Sequence, residues 1–210
     1  MLWLGHPVVR WCAVAMLSGG MMCAVAALRT PRRDPELGDP YLGGPEVEAG
    51  HVVMLAAMLL MVGAPTLDLQ SWWRGLFTMV AAFYAVRLWH HARDATSGRT
   101  GATVRAGAAG YHLVAALAML CATVGQDHHG HAHGAAARPT GSDMPWPWLA
   151  WLLTGLFLAG ALFAAVVFVT GRVPGSDERA HGPIRTALVA HLVMDLAMVP
   201  MLWSTAARRG

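Results

Sequence analysis

His51-Val-Val-Met54-Leu-Ala-Ala-Met58-Leu-Leu-Met61 and His191-Leu-Val-Met194-Asp195-Leu-Ala-Met198-Val-Pro-Met201 carry one His and three Met at identical offsets, H-x2-M-x3-M-x2-M. A degenerate copy, His112-Leu-Val-Ala-Ala-Leu-Ala-Met119, keeps the His and the middle Met. At 3.6 residues per turn these offsets share one narrow helical face. Imidazole with thioether donors suits copper, above all Cu(I), better than hard cations. His51, Met54, Met58, His112, Met119, His191, Met194 and Met198 are therefore candidate metal ligands. The competing reading is packing, since Met fills irregular gaps and small-residue faces bring membrane helices together.

Asp195 adds weight to a functional reading. A carboxylate inside an apolar helix is costly and usually marks a site. It lies four residues after His191 and so shares its face. There it serves a metal-bound His as an orienting partner, relays a proton, or pairs structurally with a residue such as Arg87. A second cluster, Asp127, His128, His129, His131 and His133, is interspersed with Gly and Ala and reads as a flexible transition-metal chelator. Its spacing matches no closed structural zinc site. Cys12, Met16 and Cys23 share a face too, but a buried free Cys is usually only a small apolar residue.

What positions these side chains is a membrane. The chain is 56% apolar and only 13% charged, against about 25% charged residues in a typical soluble domain. A spanning helix needs about 20 mainly apolar residues. Six segments approach this, at about 11–28, 51–67, 73–89, 106–125, 146–170 and 184–203, with a His-rich loop over 126–145. The chain is thus expected to be one all-α integral membrane domain of about six helices, arranged as three hairpins. Spans two and three, joined by a short polar break, also read as a tight hairpin. The first span is expected to be retained, because its basic residues follow the apolar stretch rather than lead it.

All fifteen basic residues are Arg. Ten of them (Arg29, Arg32, Arg33, Arg87, Arg93, Arg99, Arg105, Arg172, Arg179 and Arg185) fall on one side of a six-span arrangement. By the positive-inside rule that side is cytoplasmic and both termini lie outside the cell membrane. His51, His90, His91, His112 and His191 then come to a common level. The acidic run Asp34, Glu36, Asp39, Glu46 and Glu48 reads as a solvated loop.

The helices "HVVMLAAMLLM" and "HLVMDLAMVPML", with the Arg-only, Ala-rich composition, look like actinobacterial multi-pass membrane proteins grouped as a domain of unknown function. The resemblance runs from about His51 to Trp203. It implies a membrane fold of about six helices and no established activity. Two other readings stand beside copper handling: a b-type haem protein with axial His from separate spans, and a structural or assembly subunit without metal. The absence of GxSxG, HExxH and phosphate-loop motifs argues against hydrolytic catalysis. A net charge of +3, spread over the loops, argues against nucleic-acid binding. The expected partner is the lipid bilayer, with a possible metal ion.

Overall fold

Ala, Leu, Val and Met dominate the apolar runs, and a backbone in hydrocarbon must satisfy its own amides, so these runs become helices. The structure, a computed structural model, describes residues 6–29, 45–64, 70–99, 101–124, 147–170 and 181–206. They form α1 (Pro7–Arg29), α2 (Pro45–Gly63), α3 (Gln70–Thr96), α4 (Ala102–Val124), α5 (Pro147–Thr170) and α6 (His181–Ala206). Pro opens α1, α2 and α5, where its missing N–H costs nothing and its fixed φ suits the first helical position. Between α3 and α4 the chain reverses on Gly98 and Gly101, whose φ of 76° and 74° penalise any side chain. Arg99 pins that turn through Asp94 at 2.7 Å.

Among the described residues, five helical stretches are long and apolar enough to cross a membrane: Pro7–Arg29, Pro45–Gly63, Ala102–Thr123, Trp148–Thr170 and Thr186–Trp203. The protein is a multi-pass membrane protein. The expected third span behaves differently. α3 is 27 residues long, yet Arg74 and Arg87 confine its uninterrupted apolar stretch to the residues between them. That stretch covers about 18 Å at 1.5 Å per residue, against a hydrocarbon core of about 30 Å.

Two further expectations need correction. α3 lies along α4, not along α2, so spans two and three do not form a tight hairpin. Glu46 and Glu48 do not belong to a solvated loop, because α2 begins at Pro45 and carries both in its first turn. The physical reason is the proline, which suits the first helical position and starts the helix about two turns before the apolar run becomes continuous.

α1 lies against α2 and α6, α5 against α6, and α2, α4 and α6 meet in the middle. Their shared core holds Met54, Met58, Met119, Met194, Met198 and Met201 among Ala side chains, Phe77 and Phe157. Gly20 sets the approach of α1 to α6, since a Cβ there would lie 2.6 Å from Val193 Cγ1. The outer face of α5 presents Leu158, Leu162, Phe163 and Val169, as a lipid-facing surface does.

Candidate functional site

Where α2, α4 and α6 meet, His51, His112 and His191 come together. The His51 ring centroid lies 4.7 Å from that of His112 and 5.6 Å from that of His191. His51 Nε2 and His191 Nδ1 face each other at 3.4 Å. A polar group stands near the other side of each ring, although His51 Nδ1, Glu48 Oε2 and Asp195 Oδ2 make no hydrogen bond. His51 Nδ1 lies 3.6 Å from Glu48 Oε2, and His191 Nε2 lies 3.5 Å from Asp195 Oδ2. His112 Nδ1 lies 3.0 Å from the Ala108 carbonyl. A carbonyl only accepts, so His112 carries its proton on Nδ1 and keeps a lone pair on Nε2. That Nε2 is buried without a hydrogen-bond partner.

Most of the cluster is buried, while the His191 side chain is 28% exposed. Glu48 is 2% exposed, His112 1% and Asp195 0%. Tyr111 donates its hydroxyl to Asp195 Oδ1, and its ring lies 4.5 Å from that of His191. Tyr84 of α3 stacks on His112 at 4.8 Å and donates its hydroxyl to the Glu46 carbonyl at 2.7 Å. Two glycines make the room. A Cβ on Gly160 would stand 2.6 Å from Asp195 Oδ2, and one on Gly50 would collide with the Tyr84 hydroxyl and lie 2.8 Å from His112 Cδ2. Small residues at such crossings let membrane helices approach closely around polar groups.

Of the residues singled out in the sequence, the structure gathers His51, His112, His191 and Asp195. Met54, Met58, Met119, Met194 and Met198 are fully buried in the adjoining apolar core, a position that packing alone also explains. His128, His129, His131 and His133 lie outside the described residues. His90 does not join the cluster: it sits on the exposed face of α3, while half-buried His91 lines a separate cleft. Arg87 does not pair with Asp195, because Glu46 takes the guanidinium. Cys12, Cys23 and Cys121 are free thiols.

Tyr84, Tyr111, Gly50 and Gly160 carry no signal in the sequence reading, and Glu48 enters it only as part of an acidic loop. One signal pointed to Glu48: it precedes His51 by three residues, on the same helical face, as Asp195 follows His191 by four. Among the described residues, no three His, Cys, Asp or Glu side chains have their donor atoms already set around one metal-sized point.

No curated protein matches the chain, and no solved structure matches it. One family profile does, over residues 44–205, a stretch that includes every residue of the histidine cluster. The chain therefore belongs to the family described as Domain of unknown function (DUF5134), and within it is a multi-pass membrane protein with a buried histidine and carboxylate cluster among its helices.

Proposed function

We propose that the protein binds a transition metal, copper by preference, at His51, His112 and His191 within the membrane. One observation carries this reading: the three imidazoles adjoin one another, with a carboxylate 3.6 Å behind His51 and 3.5 Å behind His191 and a backbone carbonyl hydrogen-bonded to His112. Carboxylates and carbonyls behind ring nitrogens are the usual support of metal-bound His, because they set tautomer and orientation. The facing nitrogens of His51 and His191 stand 3.4 Å apart, at the long end for a hydrogen bond. That separation is close to the edge of a tetrahedron of metal–nitrogen bonds, about 3.3 Å for bonds of 2.0–2.1 Å. Closing the site takes a movement of His112, whose Cδ2 edge adjoins Gly50.

Copper is favoured over zinc by the thioethers. Met54 and Met194 follow His51 and His191 by three residues on the same faces, and Met58, Met119 and Met198 continue the stripe. These would hand on a soft cation, and His128, His129, His131 and His133 would capture one at the surface. In this arrangement α3 completes three hairpins, with the Arg74 and Arg87 side chains reaching to the interfaces. The Arg-rich side faces the cytoplasm.

The haem alternative finds less support, because the rings of His51, His112 and His191 adjoin one another with no porphyrin-wide gap between them. Elemental analysis of detergent-purified protein after anaerobic copper loading tests the reading. The background should carry Ala at His128, His129, His131 and His133, so that the loop does not mask the result. Stoichiometric copper is expected, and its loss on replacing His51, His112 and His191 by Ala. Equal metal content with and without the three His overturns the assignment, and a Soret band in haem-replete cells supports haem instead.

A further inference from the structure

A small cleft lies between α2, α3 and α4, lined by Glu46, Tyr84, Arg87, His91, Arg105 and Ala109. Tyr84 belongs to both the cleft and the surroundings of the histidine cluster, because its ring stacks on that of His112 with the two planes 26° apart. His112 follows Ala109 by three residues on the same face of α4, so it is the next side chain inward. The Tyr84 hydroxyl and the His112 Cδ2 edge meet at Gly50, where a Cβ would collide with the first and lie 2.8 Å from the second. Cδ2 is bonded to Nε2, the ring nitrogen that is buried without a hydrogen-bond partner. Tyr84 is 3% exposed and His112 1%, so the Tyr84 ring closes His112 off from the cleft.

Little holds that closure. α3 packs along α4, and at this end it reaches α2 through Glu46, whose carbonyl accepts the Tyr84 hydroxyl at 2.7 Å and whose carboxylate takes Arg87. A neutral hydrogen bond adds little net stability, since water can replace either partner, and local openings start at such weakly held contacts. The opposite side of the cluster differs, because Met54, Met58, Met194 and Met198 fill it with a fully buried apolar core. We propose that Tyr84 is a gate between the histidine cluster and the cleft, and that the metal enters or leaves the cluster by this route when the ring swings off His112. The route rests on the metal reading of the cluster, whereas the gate rests on the geometry of Tyr84. Along the way Glu46 offsets the charge of Arg87, and His91 supplies an imidazole in the cleft for a cation released from His112.

Carbethoxylation of His112 by diethyl pyrocarbonate, read by peptide mass spectrometry on the full detergent-purified, metal-free chain, tests the gate. Tyr84→Phe keeps the ring and removes the bond to the Glu46 carbonyl, so His112 should react about fivefold faster, the worth of one neutral hydrogen bond. Tyr84→Ala removes the ring, and His112 should react faster still. Arg10→Gln breaks the 2.8 Å bond from Arg10 Nη2 to the Gly63 carbonyl at the far end of α2 and should leave the rate at its wild-type value. Unchanged labelling in both Tyr84 variants overturns the gate, and so does an equal gain in Arg10→Gln, which would mark general loosening. The route is tested by withdrawing copper with bathocuproine disulfonate from loaded protein that carries Ala at His128, His129, His131 and His133. Withdrawal should be about fivefold faster from Tyr84→Phe by the same hydrogen-bond argument, and an equal rate overturns the route. A chain whose His112 labelling follows Tyr84 but that takes up no copper sustains the gate and overturns the metal reading.

Discussion

His51 Nε2 and His191 Nδ1 stand 3.4 Å apart although 140 positions separate them in the chain. Behind each ring stands a buried carboxylate from its own helix, Glu48 at i−3 and Asp195 at i+4. The two helices thus present the same device in mirrored order. That relationship makes the pair, rather than either His alone, the unit on which substitutions should act.

Replacing His112 by Ala should remove most of the copper bound by the background that carries Ala at His128, His129, His131 and His133, and replacing His90 by Ala should remove none. His112 keeps a buried, unpartnered Nε2 beside His51, whereas His90 is exposed on the far side of α3. Elemental analysis of both variants checks this. Equal loss in the two would sink the assignment.

Gly160→Ala and Gly50→Ala should each lower stability by about 1–3 kcal/mol, the usual cost of forcing atoms into a filled interior. The new methyl would meet Asp195 Oδ2 in one case and the Tyr84 hydroxyl and His112 ring in the other. Gly63→Ala, where nothing lies within 4 Å of the added carbon, is the control. Thermal unfolding in one detergent compares the three.

Tyr111→Phe removes the hydroxyl that donates to Asp195 Oδ1. A buried carboxylate oxygen left without its donor costs about 1–3 kcal/mol. Tyr111→Phe combined with Asp195→Ala should lose less than the sum of the two single changes, since both remove one interaction. A double-mutant cycle on unfolding measures the coupling, and strict additivity would show that the two side chains do not interact.

His91 should titrate below 6.5, because its burial and the charges of Arg87 and Arg105 oppose a further cation. A histidine with a lowered folded-state pKa favours folding in its neutral form, a contribution present above the unfolded pKa and lost as pH falls from there through the folded-state pKa. Arg105→Gln should raise the His91 titration midpoint, readable from its ring proton resonance by NMR. An unmoved midpoint would remove Arg105 from the neighbourhood of His91.

Topology can be read by labelling single cysteines in a background without Cys12, Cys23 and Cys121. Ser142→Cys should react with an impermeant maleimide in intact cells, and Ser97→Cys only after permeabilisation. The reverse pattern would invert the orientation inferred from the Arg distribution.

Much of the fold was open to reading because the bilayer imposes a simple rule. A run of about 20 apolar residues has to be a helix, and five such runs appear where hydropathy placed them. α3 shows where the rule weakens: Arg74 and Arg87 break its apolar stretch, and helix formation and spanning become separate questions. Glu48 shows a second limit. Charge alone assigned it to solvent, yet it is 2% exposed, because the helix of His51 begins earlier than its apolar run.

The sequence by itself determined the helices, the repeated His and Met offsets and the presence of Asp195 on the face of His191, because periodicity within one helix is a local property of 3.6 residues per turn. Only the tertiary structure decided that His51, His112 and His191 meet while His90 and His91 do not, that Arg87 takes Glu46, and that Tyr111 takes Asp195. These outcomes depend on how far helices slide and rotate against one another. That is set by close approaches at residues such as Gly20, Gly50 and Gly160, and no local pattern in the chain encodes it.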